Sequence, residues 1–174
     1  MSEFIFREVA RVLTKYKTRD PYELLDGMGA VTYFSYEYGR NGLKGYSTVM
    51  NRLKYAVINA NLPPEARKVV AGHEAAHLIL HMDDIMSSPI RALHDFNMFD
   101  NAGRIEYQAN LFLADFLLED DEVLERVYDE YKDFFGIARE LYVPAPLLAF
   151  KQHSMMRRGL NVRNPIDLDS QFLK

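Results

Sequence analysis

The stretch from Arg67 to His81, RKVVAGHEAAHLILH, sets His73, Glu74 and His77 in the spacing HExxH. On an α-helix, residues four apart lie one above the other on the same face. Two imidazoles so placed can meet one ion at about 2.0–2.1 Å from each nitrogen. Glu74 stands beside them, outside the ligand pair, where its carboxylate can take a proton from an attacking water; this is the chemistry of a metal-assisted hydrolase. Val69, Val70, Ala71, Ala75, Ala76, Leu78, Ile79 and Leu80 make the stretch apolar nearly all round, which predicts a helix at the centre of the core. Histidines carried into such an interior require partners, and a metal is the simplest.

A catalytic zinc takes three protein ligands and keeps one position open. The extension that adds a glycine and a third histidine after HExxH is absent, because Leu80 and Asp83 occupy those positions. His81 continues the four-residue series, yet its Cα lies about 12 Å along the axis from that of His73, too far for one ion to meet all three histidines. His81 is therefore expected behind a ligand or at the helix end. The third ligand is expected to be an acid from a downstream helix. Glu106, which opens EYQAN, is the best placed; Asp83 and Asp84 follow the first helix at once, and Glu119 sits in an acidic run of the kind that is usually solvated. Asn110 lies one turn beyond Glu106, so the face that offers a carboxylate also offers an amide oxygen that can accept the distal N–H of a ligating histidine. The oxyanion of the transition state needs a donor, for which Tyr33, Tyr36, Tyr46 and His94 are candidates.

The rest of the chain has to position these groups. With 174 residues, 48% of them apolar and 26% charged, it is expected to form one domain with a full core. There is no cysteine, which excludes disulfides and thiolate metal sites and leaves His, Asp and Glu to hold any metal. Glu3 and Arg7 interrupt the first apolar patch, and no apolar run reaches the roughly eighteen residues of a membrane span, so a cytoplasmic protein without a membrane partner is expected. A net charge of −4 argues against direct nucleic-acid binding, although Lys151, Arg157, Arg158 and Arg163 make the C-terminal region locally basic.

Apolar residues recur at helical steps from Ser2 to Lys17, and Asp20, Pro21 and Glu23 predict a capped second helix that Gly27 and Gly29 end. The period then changes to two: Val31 to Glu37, Leu43 to Met50 and Lys54 to Asn59 read as strands of an antiparallel meander, with Asn41-Gly42 suited to a tight hairpin. The strand from Leu43 to Met50 is the expected edge for an extended substrate. Met82 to Gly103 reads either as a lid or as a segment packed on the core. Arg104 to Leu118 is an amphipathic helix, the acidic run from Glu119 to Glu125 opens another, and two short helices flank the break from Tyr142 to Pro146. That last helix–turn–helix pattern lacks a basic face and reads as packing. The expected organisation is N-terminal helices in 1–29, a sheet in 30–60, the two metal-site helices in 61–120, C-terminal helices in 121–160 and a tail in 161–174.

GHEAAHLILH, followed some thirty positions on by EYQANLFLADFLL and preceded by the strand end Val57-Ile58-Asn59, resembles the ImmA/IrrE metallopeptidases. Gly72 stands where that family usually has alanine, Ala76 where it has glycine, and Leu113-Ala114 where many members have Ala-Ala. None of these departures removes a ligand. The resemblance implies an α+β fold, a small antiparallel sheet on a helical gluzincin-like core, with zinc on His73, His77 and Glu106 and Glu74 as general base. It also implies a protein substrate, a helix-turn-helix repressor cut to relieve repression of a phage or mobile element. The competing expectations are a zinc-containing interaction module that binds a repressor or toxin-system partner without cutting it, and a hydrolase of small amides. An intact Glu74 favours cleavage, because a purely structural site needs no base.

Overall fold

The computed structural model describes residues 2–39, 41–88, 92–95, 103–129 and 132–162. In chain order the elements are α1 (Ser2–Tyr16), α2 (Pro21–Gly27), β1 (Ala30–Ser35), β2 (Gly45–Met50), β3 (Leu53–Asn59), α3 (Pro64–Leu80), α4 (Met82–Ser87), β4 (Ala92–Asp95), α5 (Arg104–Leu117), α6 (Asp120–Val127), α7 (Phe134–Glu140) and α8 (Ala145–Arg157), an α+β arrangement. Helix α1 buries the stripe Ile5, Val9 and Val12. Asp20 caps α2 by accepting from the Tyr22 and Glu23 amides, and Gly29 ends the turn with a φ of +67° that a side chain would resist. Glu23 does not close a capping box; its carboxylate accepts from the Thr18 hydroxyl.

The sheet departs from the expected meander. Its order is β1-β3-β2-β4, with β1 parallel to β3 and β2 antiparallel to both β3 and β4. The tight hairpin is the one between β2 and β3, where Asn51 and Arg52 both take positive φ, as the twist of a two-residue hairpin turn requires. Asn41-Gly42 instead belongs to a loop that carries the chain from β1 past the end of β3 to β2. Asn59 pins that loop: its amide donates to the Gly39 and Leu43 carbonyls at 3.0 and 2.9 Å, and Asn61 donates to the Tyr38 carbonyl at 2.6 Å. The Ile58-Asn59 pair thus ends the strand with one core residue and one loop clamp.

Residues 82–103 are not a plain loop. Helix α4 sends Ile85 into the core, and β4 pairs with β2 from Thr48↔Ala92 to Gly45↔Asp95; the remainder, 89–91 and 96–102, lies outside the described residues. Strand β2 is consequently internal, which corrects its assignment as the substrate edge.

Helix α3 runs through the middle, with residues 69–78 all buried. Its approach to α5 and α2 depends on Gly72: a Cβ there would stand 2.5 Å from Leu113 Cδ1 and 3.3 Å from Pro21 Cγ. The small residue at 72 and the large one at 113, both unusual for the resembled family, therefore compensate one another. A second, smaller cluster of Leu118, Val123, Ile137, Leu148 and Met155 joins α6, α7 and α8. Two of the basic residues of the C-terminal region, Lys151 and Arg158, turn inward, while Arg157 is exposed. Lys151, 1% exposed, lies 3.0 Å from Asp115 and 2.6 Å from Asp120, and Arg158 forks onto Asp120 at 2.5 and 2.8 Å. These cations hold α5, α6 and α8 together and are not a nucleic-acid face; Arg163 lies outside the described residues. Among the described residues no helix is long and apolar enough to cross a membrane.

Candidate metal centre

Helix α3 presents His73 and His77 one turn apart, and α5 crosses it with Glu106 in its first turn. The Nε2 atoms of the two histidines are 2.9 Å apart, Glu106 Oε2 is 3.0 Å from His73 Nε2, and Glu106 Oε1 is 3.5 Å from His77 Nε2. Ligand atoms about 2.0–2.1 Å from a tetrahedral ion lie roughly 3.3 Å from one another, so these three donors already have nearly the required spacing. Their protonation suits a cation as well. Burial pushes His77 down to about 4, against the opposing pull of Glu106. Burial alone would raise the Glu106 carboxyl, but its hydrogen bonds with His73 and His77 hold it well below the usual carboxylate range. The set is a neutral imidazole and a carboxylate anion converging with a second imidazole, which fits a divalent metal.

Behind the donors, His81 ends α3 and is 3% exposed. Its Nδ1 is 3.2 Å from His77 Nδ1 and its Nε2 is 3.0 Å from Gln108 Oε1. It touches a candidate ligand without joining the cluster, as its distance along the helix requires. Asn110 is buried on α5 one turn past Glu106.

Glu74 is fully buried against the sheet. The Ser47 hydroxyl approaches its Oε2 at 2.5 Å and its backbone oxygen at 3.0 Å. Two residues earlier on the same face of β2, Gly45 admits the carboxylate, since a Cβ there would meet Glu74 Oε1 at 2.7 Å, Val70 Cγ1 at 2.6 Å and the Val57 carbonyl at 3.0 Å. Sequence reasoning missed Ser47, Gly45 and Gln108. For Gly45 a signal existed, because an isolated glycine inside a strand pattern marks a close approach of another group.

The tyrosines considered as oxyanion donors are not brought to the cluster. Successive residues of a strand point to opposite faces, so Tyr46 looks away from the Gly45 and Ser47 face that meets Glu74. Tyr33 shares the row of Tyr46 through their common partner Val57, and His94 holds the register position opposite Tyr46. Tyr36 follows β1 and is 76% exposed. The weaker ligand candidates also stand elsewhere. Glu119 pairs with Arg19 at 2.9 Å, and Asp83 and Asp84 are exposed in the first turn of α4.

Residues 30–152, which contain every one of these groups, match the sequence model of the peptidase M78 family, described as an IrrE N-terminal-like domain. The chain belongs to the peptidase M78 family. The ImmA/IrrE resemblance of the GHEAAHLILH and EYQAN segments is thereby borne out. The chain is also similar to a protein of Bacillus phage phi105 named "Uncharacterized immunity region protein 2", with 30% identity over 149 residues that cover 86% of this chain and 89% of the relative. M78 is a family of metal-dependent peptidases, and His73, His77 and Glu106, whose donor atoms all lie within 4.8 Å of one another, are this member's set able to bind a metal.

Proposed function

We propose that this M78 protein is a zinc-dependent endopeptidase whose substrate is a helix-turn-helix transcriptional repressor. The observation that carries the reading is the convergence of three donors inside the family-matched region, with a fully buried glutamate at the position after His73 on α3. Two imidazoles and one carboxylate suit a borderline ion that keeps one position open. When bound, zinc supplies Lewis-acid polarisation of the scissile carbonyl and eases deprotonation of water near neutral pH. Glu74 takes the proton of the attacking water and passes it to the leaving amine. Ser47 holds one oxygen of that carboxylate and with it the orientation of the other. An extended peptide would add along β4, which among the described residues pairs on one side only.

The immunity-region name of the phage relative supports a target in the control of repression. The test is incubation of the purified protein, loaded with zinc, with the repressor encoded beside its gene. Cleavage that disappears in Glu74→Gln while zinc content stays at one per chain is the expected result. An intact repressor held in a stable complex would favour the interaction module instead.

A further inference from the structure

His77 turns Nε2 toward His73 and Glu106, while its Nδ1 begins a buried chain through His81 to Gln108. The polarity of that chain is decided at its far end. An amide oxygen only accepts hydrogen bonds, so with Gln108 Oε1 at 3.0 Å from His81 Nε2, His81 carries its proton on Nε2. A neutral imidazole protonated there has a lone pair on Nδ1. The proton in the 3.2 Å gap between the two Nδ1 atoms then belongs to His77. Protonated on Nδ1, a neutral His77 has its lone pair on Nε2, the nitrogen that faces the cluster. The rest of the network agrees: the proton between the two Nε2 atoms is left to His73, which has Glu106 at 3.0 Å to receive it.

The opposite amide orientation would reverse every step. An NH2 group aimed at His81 would make His81 Nε2 the acceptor, His81 Nδ1 the donor and His77 Nδ1 the acceptor, and would put a proton on His77 Nε2, in the ligand position. His77 and His81 are 1% and 3% exposed, so bulk water does not offer a substitute partner between them, while the Gln108 end of the relay borders a cavity.

We propose that Gln108 is a positioning residue that sets the direction of this two-histidine relay and so presents His77 Nε2 as a bare donor before metal arrives. The proposal rests on the reading of His77 as a metal ligand. A glutamate at 108 would keep the polarity, because a carboxylate is also an acceptor, whereas methionine would keep the bulk and leave only a thioether sulfur, a weak acceptor.

The test has two readouts on protein with 15N-labelled histidine: ring-nitrogen NMR of the metal-free form and zinc affinity by competition with a chelator. Wild type should show His77 protonated on Nδ1 and His81 on Nε2. Gln108→Glu should preserve both tautomers and bind zinc like wild type. Gln108→Met should leave His77 in mixed tautomers and bind zinc about 10–100-fold more weakly, the usual effect of losing such a partner. Zinc-binding wild type with His77 protonated on Nε2 overturns the relay alone, as does a folded Gln108→Met with unchanged tautomer and affinity. If Gln108→Met does not fold, a Gln108→Glu protein that reverses the His77 tautomer overturns it equally. Wild type that binds no zinc overturns the metal-site reading beneath it, whatever the tautomers.

Discussion

Gly45→Ala is expected to disable the base without removing the metal. The new methyl group would sit 2.7 Å from Glu74 Oε1, 2.6 Å from Val70 Cγ1 and 3.0 Å from the Val57 carbonyl. Comfortable contacts between such atoms are about 3.5–4.0 Å, so each is short by roughly 0.5 to 1 Å. The Val57 oxygen is fixed in the β2–β3 ladder, and Val70 is fixed in α3. The adaptable neighbour is the Glu74 carboxylate, which must retreat by something near 1 Å. Misplacing a reacting group by that distance costs about 10²-fold in rate, while overpacking of this kind costs about 1–3 kcal/mol. For a chain of this size that is a fall in Tm of roughly 2–12 °C. The assay is repressor cleavage at saturating substrate, with thermal unfolding and metal content measured on the same preparation. The expected outcome is a kcat reduced about 10²-fold in a folded protein that still holds its zinc. Ser47→Ala, which adds no bulk, should lower kcat by about 10–100-fold through loss of a hydrogen bond to a charged group. If Gly45→Ala unfolds some degrees lower yet cleaves at the wild-type rate, the slot between β2 and α3 does not hold the base, and the reasoning fails.

Glu106→Gln should weaken zinc binding at least as much as loss of a buried charged ligand implies, and chelator should lower the Tm of wild type much more than that of the variant; equal responses would show that the metal sits elsewhere. Gly72→Ala should destabilise by about 1–3 kcal/mol through collision with Leu113, and Gly72→Ala with Leu113→Ala should recover part of that loss, a coupling that a double-mutant cycle in urea would read as zero if the two residues do not compensate. Asp120 gives a pH test. Burial would raise its carboxyl, but hydrogen bonds from Arg158 and Lys151 lower it from 3.8 to about 2. A depressed folded-state value adds stability above the unfolded value that is lost as pH falls through the folded one. Asp120→Asn should therefore be less stable than wild type at neutral pH, with the gap closing between about pH 4 and 2; a gap independent of pH would argue against the ion pairs.

The parts of the site that were legible in the chain are those set by a single helix. HExxH brings His73 and His77 together wherever α3 lies, since 3.6 residues per turn puts the fourth residue back on the same face. The same periodicity sends His81 past the ion, and places Asn110 above Glu106 on α5. What a helix faces is another matter, and there only the packed molecule decides. Period two marked the strands but carried no record of partner or direction, so β1 could run parallel to β3 on the far side from β2. With that order, β2 became internal and the Tyr33 and Tyr46 row faced away from Glu74. Lys151 and Arg158 read as local positive charge because charge is a property of the residue; that they neutralise Asp115 and Asp120 inside the fold depends on α5, α6 and α8 meeting more than thirty residues apart in sequence. Ser47 and Gln108 have no motif at all, being a hydroxyl and an amide whose work exists only where β2 crosses α3 and α5 crosses its end. Side-chain direction within an element follows from local covalent geometry, whereas the neighbour at the end of that direction follows from long-range burial of apolar surface.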